Sequence, residues 1–282
     1  MPQLLKSQDE ELKTLAGQDL IGTAVADHTA QMVLHSREML RQADRVELIS
    51  RVARKRYFSF RGQDQSRPIN RDLYVDDAGE FDRLLRSFRG GFRNSSDEDT
   101  LRSTYTIAYG IFAAHDVYKV GRKASATFFE ILVGHTLGRR LGVSPRKRVR
   151  IPESGADLPT DYVFDLGQGN RKLHLPIKTS TRERAVQAWV HQLVLDRIFG
   201  SGQYRGILVV AAETKRDSRT GEVIEICVPQ QLQMFQSRVA EISRVYYLDA
   251  PQAYLALAKN FPRLEVRNFG GVFEDLRQLL RT

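Results

Sequence analysis

The chain has 282 residues, 41% hydrophobic and 27% charged, proportions that suit one large globular domain or a core carrying an accessory layer. No apolar run approaches the roughly 18–20 residues of a membrane span, and the one cysteine, Cys227, excludes an intrachain disulfide and a thiolate zinc site. The formal charge of +9, with arginine well in excess of lysine, favours a polyanionic partner, with nucleic acid the first candidate.

The N-terminus, MPQLLKSQDEELK, has acids where a signal peptide places its apolar stretch, so a reducing, cytoplasmic setting is expected. Residues 8–60 are predicted helical, with apolar positions at helical spacing through Leu34, Met39, Leu40, Val46, Leu48, Ile49 and Val52. Arg61–Asn70, polar and broken by Pro68, is predicted as a loop, and Ala78–Phe88 as a short helix. The loop RGGFRNSSDED lacks the Lys-Ser/Thr ending of a P-loop, so nucleotide binding is not expected there. A helix over Asp99–Ala114 follows.

After about residue 120 the pattern changes. Ser125–Leu141 reads as an amphipathic helix opened by a serine cap. The basic run Arg146-Lys147-Arg148-Val149-Arg150 suits either a phosphate-contacting strand or a solvated loop. Asp161–Leu166 and Lys172–Ile177 read as two strands joined by the hairpin turn GQGN. Thr179–Phe199 is predicted as a long helix, and the apolar Gly206–Ala212 (GILVVAA) as a buried strand. Another strand at Glu222–Val228 and helices at about 229–240 and 250–260 complete the order. Helix, strands, helix, strand, strand predicts an α/β fold with a mixed sheet between helices.

The chemistry concentrates in Leu158–Gln192. Asp161 opens one strand of the hairpin and Lys178 ends the other, so the two can face each other across one edge of the sheet. A carboxylate there can hold a divalent cation, and a lysine beside it can orient water and neutralise charge developing on a phosphate. Asp165, on the same strand, competes with Asp161. Arg182-Glu183-Arg184 follows the lysine at a helix start. Arginines can contact guanine O6 and N7 bidentately, and a carboxylate can accept from cytosine N4. Trp189, the single tryptophan, is expected to anchor packing, and His28, His35, His115, His135 and His174 share no metal-ligand spacing.

Together Pro159-Thr160-Asp161, Pro176-Ile177-Lys178 and Arg182-Glu183-Arg184 resemble the PD-(D/E)XK type II restriction endonucleases that recognise CCGG, CCNGG or CCWGG cores. Ser125–Glu130 (SATFFE) resembles that group's helix whose glutamate enters the active site. Gly206–Glu213 resembles the strand after the recognition helix. The resemblance covers roughly residues 120–230 and departs in two places. Pro-Thr-Asp stands where Pro-Asp is usual, and His191 and Gln192 occupy the places, thirteen and fourteen residues after the lysine, that usually hold a glutamate.

The resemblance implies a restriction-endonuclease-like core over 116–282, whereas residues 1–115 resemble no known family and are expected, from their own pattern, to form a mostly helical accessory region for DNA contact and dimerisation. It implies Mg2+ held by Asp161 and Glu130, catalysis by Asp161, Lys178, Glu130 and Gln192, and recognition of G·C pairs by Arg182, Glu183 and Arg184. His191 is the alternative to Gln192 as the group acting on water. The expected partner is double-stranded DNA, and a palindromic target implies a homodimer or a tetramer built from dimers. A catalytically decayed DNA-binding protein and a structure-specific repair nuclease are the alternatives, the first because the glutamate is absent.

Overall fold

The computed structural model of the protein describes residues 2–121, 123–167, 171–182 and 185–279. The chain begins with α1 (Pro2–Asp19), α2 (Thr23–Leu40), β1 (Asp44–Leu48), β2 (Tyr57–Arg61), β3 (Ile69–Asn70), α3 (Ala78–Arg89), α4 (Asp97–Val117) and α5 (Ala124–Leu141). It continues through β4 (Arg146–Arg150), β5 (Asp157–Phe164), β6 (Lys172–Leu175), β7 (Ile177–Lys178), α6 (Ala185–Phe199), β8 (Tyr204–Ala212), β9 (Thr214–Arg216) and β10 (Val223–Glu225). The last elements are α7 (Pro229–Arg238), β11 (Arg244–Asp249), the short α8 (Gln252–Leu255) and α9 (Leu257–Asn260), β12 (Val266–Asn268) and α10 (Val272–Leu279). No described helix is long and apolar enough to cross a membrane.

These elements divide into two compact units, Met1–Arg140 with Thr214–Ile226, and Leu141–Glu213 with Cys227–Thr282. Residues 116–140, expected to go with the core, and the β9–β10 hairpin thus belong to the first unit.

In the first unit α4 is buried on nearly every face from Thr100 to Val117, the pattern of a helix packed all round. Ser96 caps it by accepting from the Asp99 backbone N–H, and Asp97, Glu98 and Asp99 complement the helix dipole. Tyr105 and Tyr109 stack at 4.1 Å, and Phe112 meets Phe129 of α5 edge-on at 5.9 Å.

Two local expectations fail here. The helical region predicted over 8–60 stops at Leu40, and β1 and β2 pair antiparallel from Asp44↔Arg61 to Leu48↔Tyr57. Val46 and Leu48 alternate with Arg45 and Glu47, a period of two that short apolar runs share with helices, and Tyr57-Phe58-Ser59-Phe60 has the aromatic content of a strand. Ser125 does not open α5, because the helix already includes Ala124. Its hydroxyl instead lies 3.3 Å from His115 Nδ1 and 3.2 Å from Arg67. Arg67 is itself bound bidentately by Asp116 at 2.7 and 2.8 Å.

The second unit is built on a mixed sheet in the order β12-β11-β8-β6-β5-β4, with β7 pairing β8. β4, β5 and β6 are antiparallel, whereas β6, β7, β8, β11 and β12 run parallel to their neighbours. The predicted hairpin is present as β5 and β6, with Tyr162↔Leu175 and Phe164↔Leu173 in register. Of its turn, residues 168–170 lie outside the described residues.

β8 reads Ile207-Leu208-Val209-Val210, wholly buried, because helices cover it. Leu208, Val210, Val245 and Tyr247 pack with Ala185, Ala188 and Trp189 of α6. Tyr246, pointing to the other side, bonds Asp275 of α10 at 2.6 Å. The expected mixed α/β fold is thus observed. β11 and β12 were not foreseen, and of the helix predicted over Thr179–Phe199 the stretch Thr179–Arg182 lies outside any helix, while α6 covers Ala185–Phe199.

Trp189 is the packing anchor expected of it: it is wholly buried, donates from Nε1 to Gln236 at 2.9 Å and packs on Phe235.

Candidate active site

Asp161 lies inside β5 rather than at its start, where the pairing with β4 is irregular. Between Arg146↔Val163 and Arg148↔Pro159, β4 advances two residues while β5 advances four. The two extra residues fall among Thr160, Asp161 and Tyr162, so Asp161 sits in a bulge of β5.

Proline explains the other half of the site. Pro176 has no N–H and splits what would be one strand into β6 and β7. The next amide, Ile177 N–H, donates to Asp161 Oδ2 at 2.7 Å. Lys178 Nζ donates to the same oxygen at 2.9 Å. The carboxylate therefore bridges the end of β7 to the bulge. Both side chains remain partly open, 17% exposed for Lys178 and 21% for Asp161. Asp165, the competing acid, is instead 3.0 Å from Lys172 and held below the usual carboxylate range by it.

Behind the pair sits a buried polar chain. Gln192 Nε2 donates to Asp196 Oδ1 at 2.9 Å and to the Tyr204 carbonyl at 2.8 Å, which orients its amide. Its Oε1 then accepts from His174 Nδ1 at 3.0 Å, fixing the neutral tautomer with the lone pair on Nε2. That Nε2 is buried without a partner among the described residues. Burial pushes His174 down to about 4, opposed by the Gln192 bond and the Asp161 charge. His191, one residue before Gln192, is half-buried, with its ring 6.3 Å from that of His174. Burial lowers its pKa too, Asp161 opposing and Lys178 assisting, so it lies in the field of the pair.

Of the residues expected from sequence, Asp161 and Lys178 are in direct contact, and Gln192 lies behind them with its amide engaged in the core. Glu130 is half-buried on α5, in the first unit. Arg182 is exposed in the turn before α6, its Nε 3.3 Å from Ser180 Oγ. Glu183 and Arg184 lie outside the described residues.

Sequence reasoning passed over the coupling of His174 to Gln192 and did not single out Glu213. Glu213 is a buried carboxyl whose pKa is raised by burial against bonds from Thr181 and Tyr247. The available signal was an acid closing an uninterrupted apolar strand.

No protein-family model and no curated protein matches the chain. Among solved structures it is similar to the type IIP restriction endonuclease Kpn2I, with a TM-score of 0.86 and 26% identity over 100% of this chain and 98% of that one. A complex of the restriction endonuclease PspGI with substrate DNA is more distant, with a TM-score of 0.46 and 14% identity over 72% of this chain and 92% of that one. The chain has the restriction-endonuclease fold, and its likeness over nearly its whole length to a type IIP restriction endonuclease supports DNA binding and a nuclease function.

Proposed function

We propose that this protein is a type II restriction endonuclease that uses Mg2+ to cleave double-stranded DNA at a palindromic site containing a CC:GG core. The observation that carries the reading is the contact of Asp161 with Lys178 at 2.9 Å, partly open, at the bulge of β5. The Kpn2I likeness supports the same chemistry.

The donor set fits a hard cation. Asp161 Oδ2 takes both bonds, and Oδ1 has no hydrogen-bond partner among the described residues. Among those residues no group of three or more His, Cys, Asp or Glu side chains could hold a metal. Mg2+ is commonly bound by one or two carboxylates with water and substrate phosphate rather than by a protein cage. Asp161 is the proposed ligand. When bound, Mg2+ supplies positive charge at the scissile phosphate and acidifies its water.

Lys178 Nζ, held by Asp161, orients the attacking water and neutralises charge growing on the phosphate. Gln192 contributes at one remove, by fixing His174 behind the pair, while His191 lies in the field of the pair. The products carry a 5′-phosphate and a 3′-hydroxyl. Arg182, Glu183 and Arg184 read adjacent G·C pairs in the major groove. A two-fold symmetric target calls for a homodimer or a tetramer of dimers.

Digestion of sequenced plasmids with Mg2+, followed by mapping of the ends, tests the reading. Discrete fragments are expected, and their absence from varied plasmid DNA sinks it. A non-cleaving DNA-binding protein on this fold is favoured by one observation, the core-engaged Gln192 near where an acid would stand. Cleavage that depends on Lys178 removes that alternative. A smear in place of bands favours a structure-specific nuclease.

A further inference from the structure

Glu213 follows directly on the last residue of β8 and is wholly buried. Its Oε1 accepts three hydrogen bonds: from the Thr181 backbone N–H at 2.8 Å, the Thr181 hydroxyl at 2.6 Å and the Tyr247 phenol at 2.9 Å. Its Oε2 is buried without a partner among the described residues. A carboxyl in such a place is expensive to desolvate. The adjoining Ala212 N–H is served elsewhere, by the Thr179 carbonyl at 3.2 Å, so the carboxyl is directed at Thr181.

What the carboxyl holds is Thr181, 1% exposed, in a stretch that belongs to no helix or strand. Three residues earlier, Lys178 is held by pairing with Val210 of β8 and by Asp161. One residue later, Arg182 leaves the protein surface. The short link between the proposed water-activating lysine and the first proposed base-reading arginine is thus clamped at both ends, and Glu213 is the clamp at the second.

We propose that Glu213 is a positioning residue for site discrimination, holding Thr181 so that Arg182 keeps a set distance and direction from Lys178. This rests on the nuclease reading above. Base-edge hydrogen bonds are lost with small displacements, whereas a loosened arginine still meets phosphates in any sequence. Loss of the clamp therefore erodes discrimination more than it erodes DNA binding.

The experiment compares Glu213→Ala, which removes all three bonds, and Thr181→Val, which removes the hydroxyl bond and keeps the backbone one, with Glu213→Gln and Thr181→Ser, which retain an equivalent acceptor or donor. One readout is the ratio of single-turnover cleavage at the cognate site to that at a site with one altered base pair. That ratio does not depend on the fraction of folded protein. The other is trypsin nicking after Lys178 and Arg182 without DNA.

Glu213→Ala is expected to lower the ratio about tenfold or more, the worth of one base contact, and to speed nicking, with Gln and Ser within about threefold of wild type. Should Glu213→Ala fail to fold, Thr181→Val is expected to move both readouts in the same direction by less, since the Thr181 N–H bond remains. A folded Ala or Val variant with the wild-type ratio and nicking rate overturns the proposal, and so does equal loss in Ala and Gln. If the wild-type protein cuts no DNA the nuclease reading falls by itself, and nicking still decides whether Glu213 clamps Thr181.

Discussion

Replacing Lys178 by methionine removes the ammonium while keeping most of the side chain's length, and its two consequences differ in size. The lost contact is the 2.9 Å bond to Asp161, between groups about one fifth exposed. Such a pair lies between surface pairs, worth ~0–1 kcal/mol, and buried ones, whose breakage costs ~3–5 kcal/mol. Asp161 keeps the Ile177 N–H at 2.7 Å and an open side to water, so a stability cost of about 1–2 kcal/mol is expected. That lowers the melting temperature by only a few degrees, roughly 2–4 °C for each kcal/mol in larger domains.

Catalysis should lose far more. Removing one charge-stabilising donor typically costs ~10²–10³-fold, and losing a proton-transfer group ~10²–10⁴-fold, so cleavage should fall about 10³-fold or further, some 4 kcal/mol of barrier. Single-turnover plasmid cleavage with Mg2+ measures the chemistry, gel shift with Ca2+ the binding, and a thermal melt the fold. A folded Lys178→Met protein that binds DNA and cleaves within about tenfold of wild type would refute the assignment of Lys178.

Gln192→Glu places an acid near where related nucleases have one, yet the carboxylate would face the Asp196 and Tyr204 acceptors that Nε2 now serves. We expect a loss of about 3 kcal/mol or more by denaturant unfolding, and an unchanged midpoint contradicts the buried chain. Burial pushes His135 and His174 down to about 4. The unfolded imidazole binds its proton near ~6.5, so between these values the unfolded chain holds more protons, and stability is lost as the pH is lowered through that window, by up to about 3 kcal/mol per histidine. Denaturant midpoints that stay flat there oppose the expectation.

Arg146, Arg148 and Arg150 line a cavity of ≈ 160 Å³ beside β5, with Asp157 only 3.6 and 3.7 Å from the last two. If they meet DNA phosphates, neutralising each lowers the slope of log affinity against log salt by about 0.9, equally for specific and non-specific DNA. An unchanged slope makes them a solvated basic edge. Arg182→Ala should weaken cognate binding by about 1–3 kcal/mol and leave non-specific binding nearly intact, and full site affinity in that variant counts against base reading.

Much of the second unit was legible in the chain itself. The apolar run at Gly206–Ala212 could only be buried, the alternation around Asp161 and Lys172 indicated a hairpin, and the ends of that hairpin brought a carboxylate to a lysine. Those features rest on local period and chain direction, which a linear sequence carries. The strands at 44–48 and 57–61 were misread because a short apolar run fits both periods until a partner strand selects one.

The remaining decisions required three dimensions. The bulge that holds Asp161 depends on the register of β4. The engagement of Gln192 depends on α6 lying over His174 and Tyr204, and the bonds to Glu213 on β11 bringing Tyr247 beside it. Sequence alone indicated that Asp161 and Lys178 can meet, because the chain between them turns back as a hairpin. Tertiary structure decided what stands behind them, because hydrogen bonds between residues far apart in the chain form only after the sheet has brought their strands together.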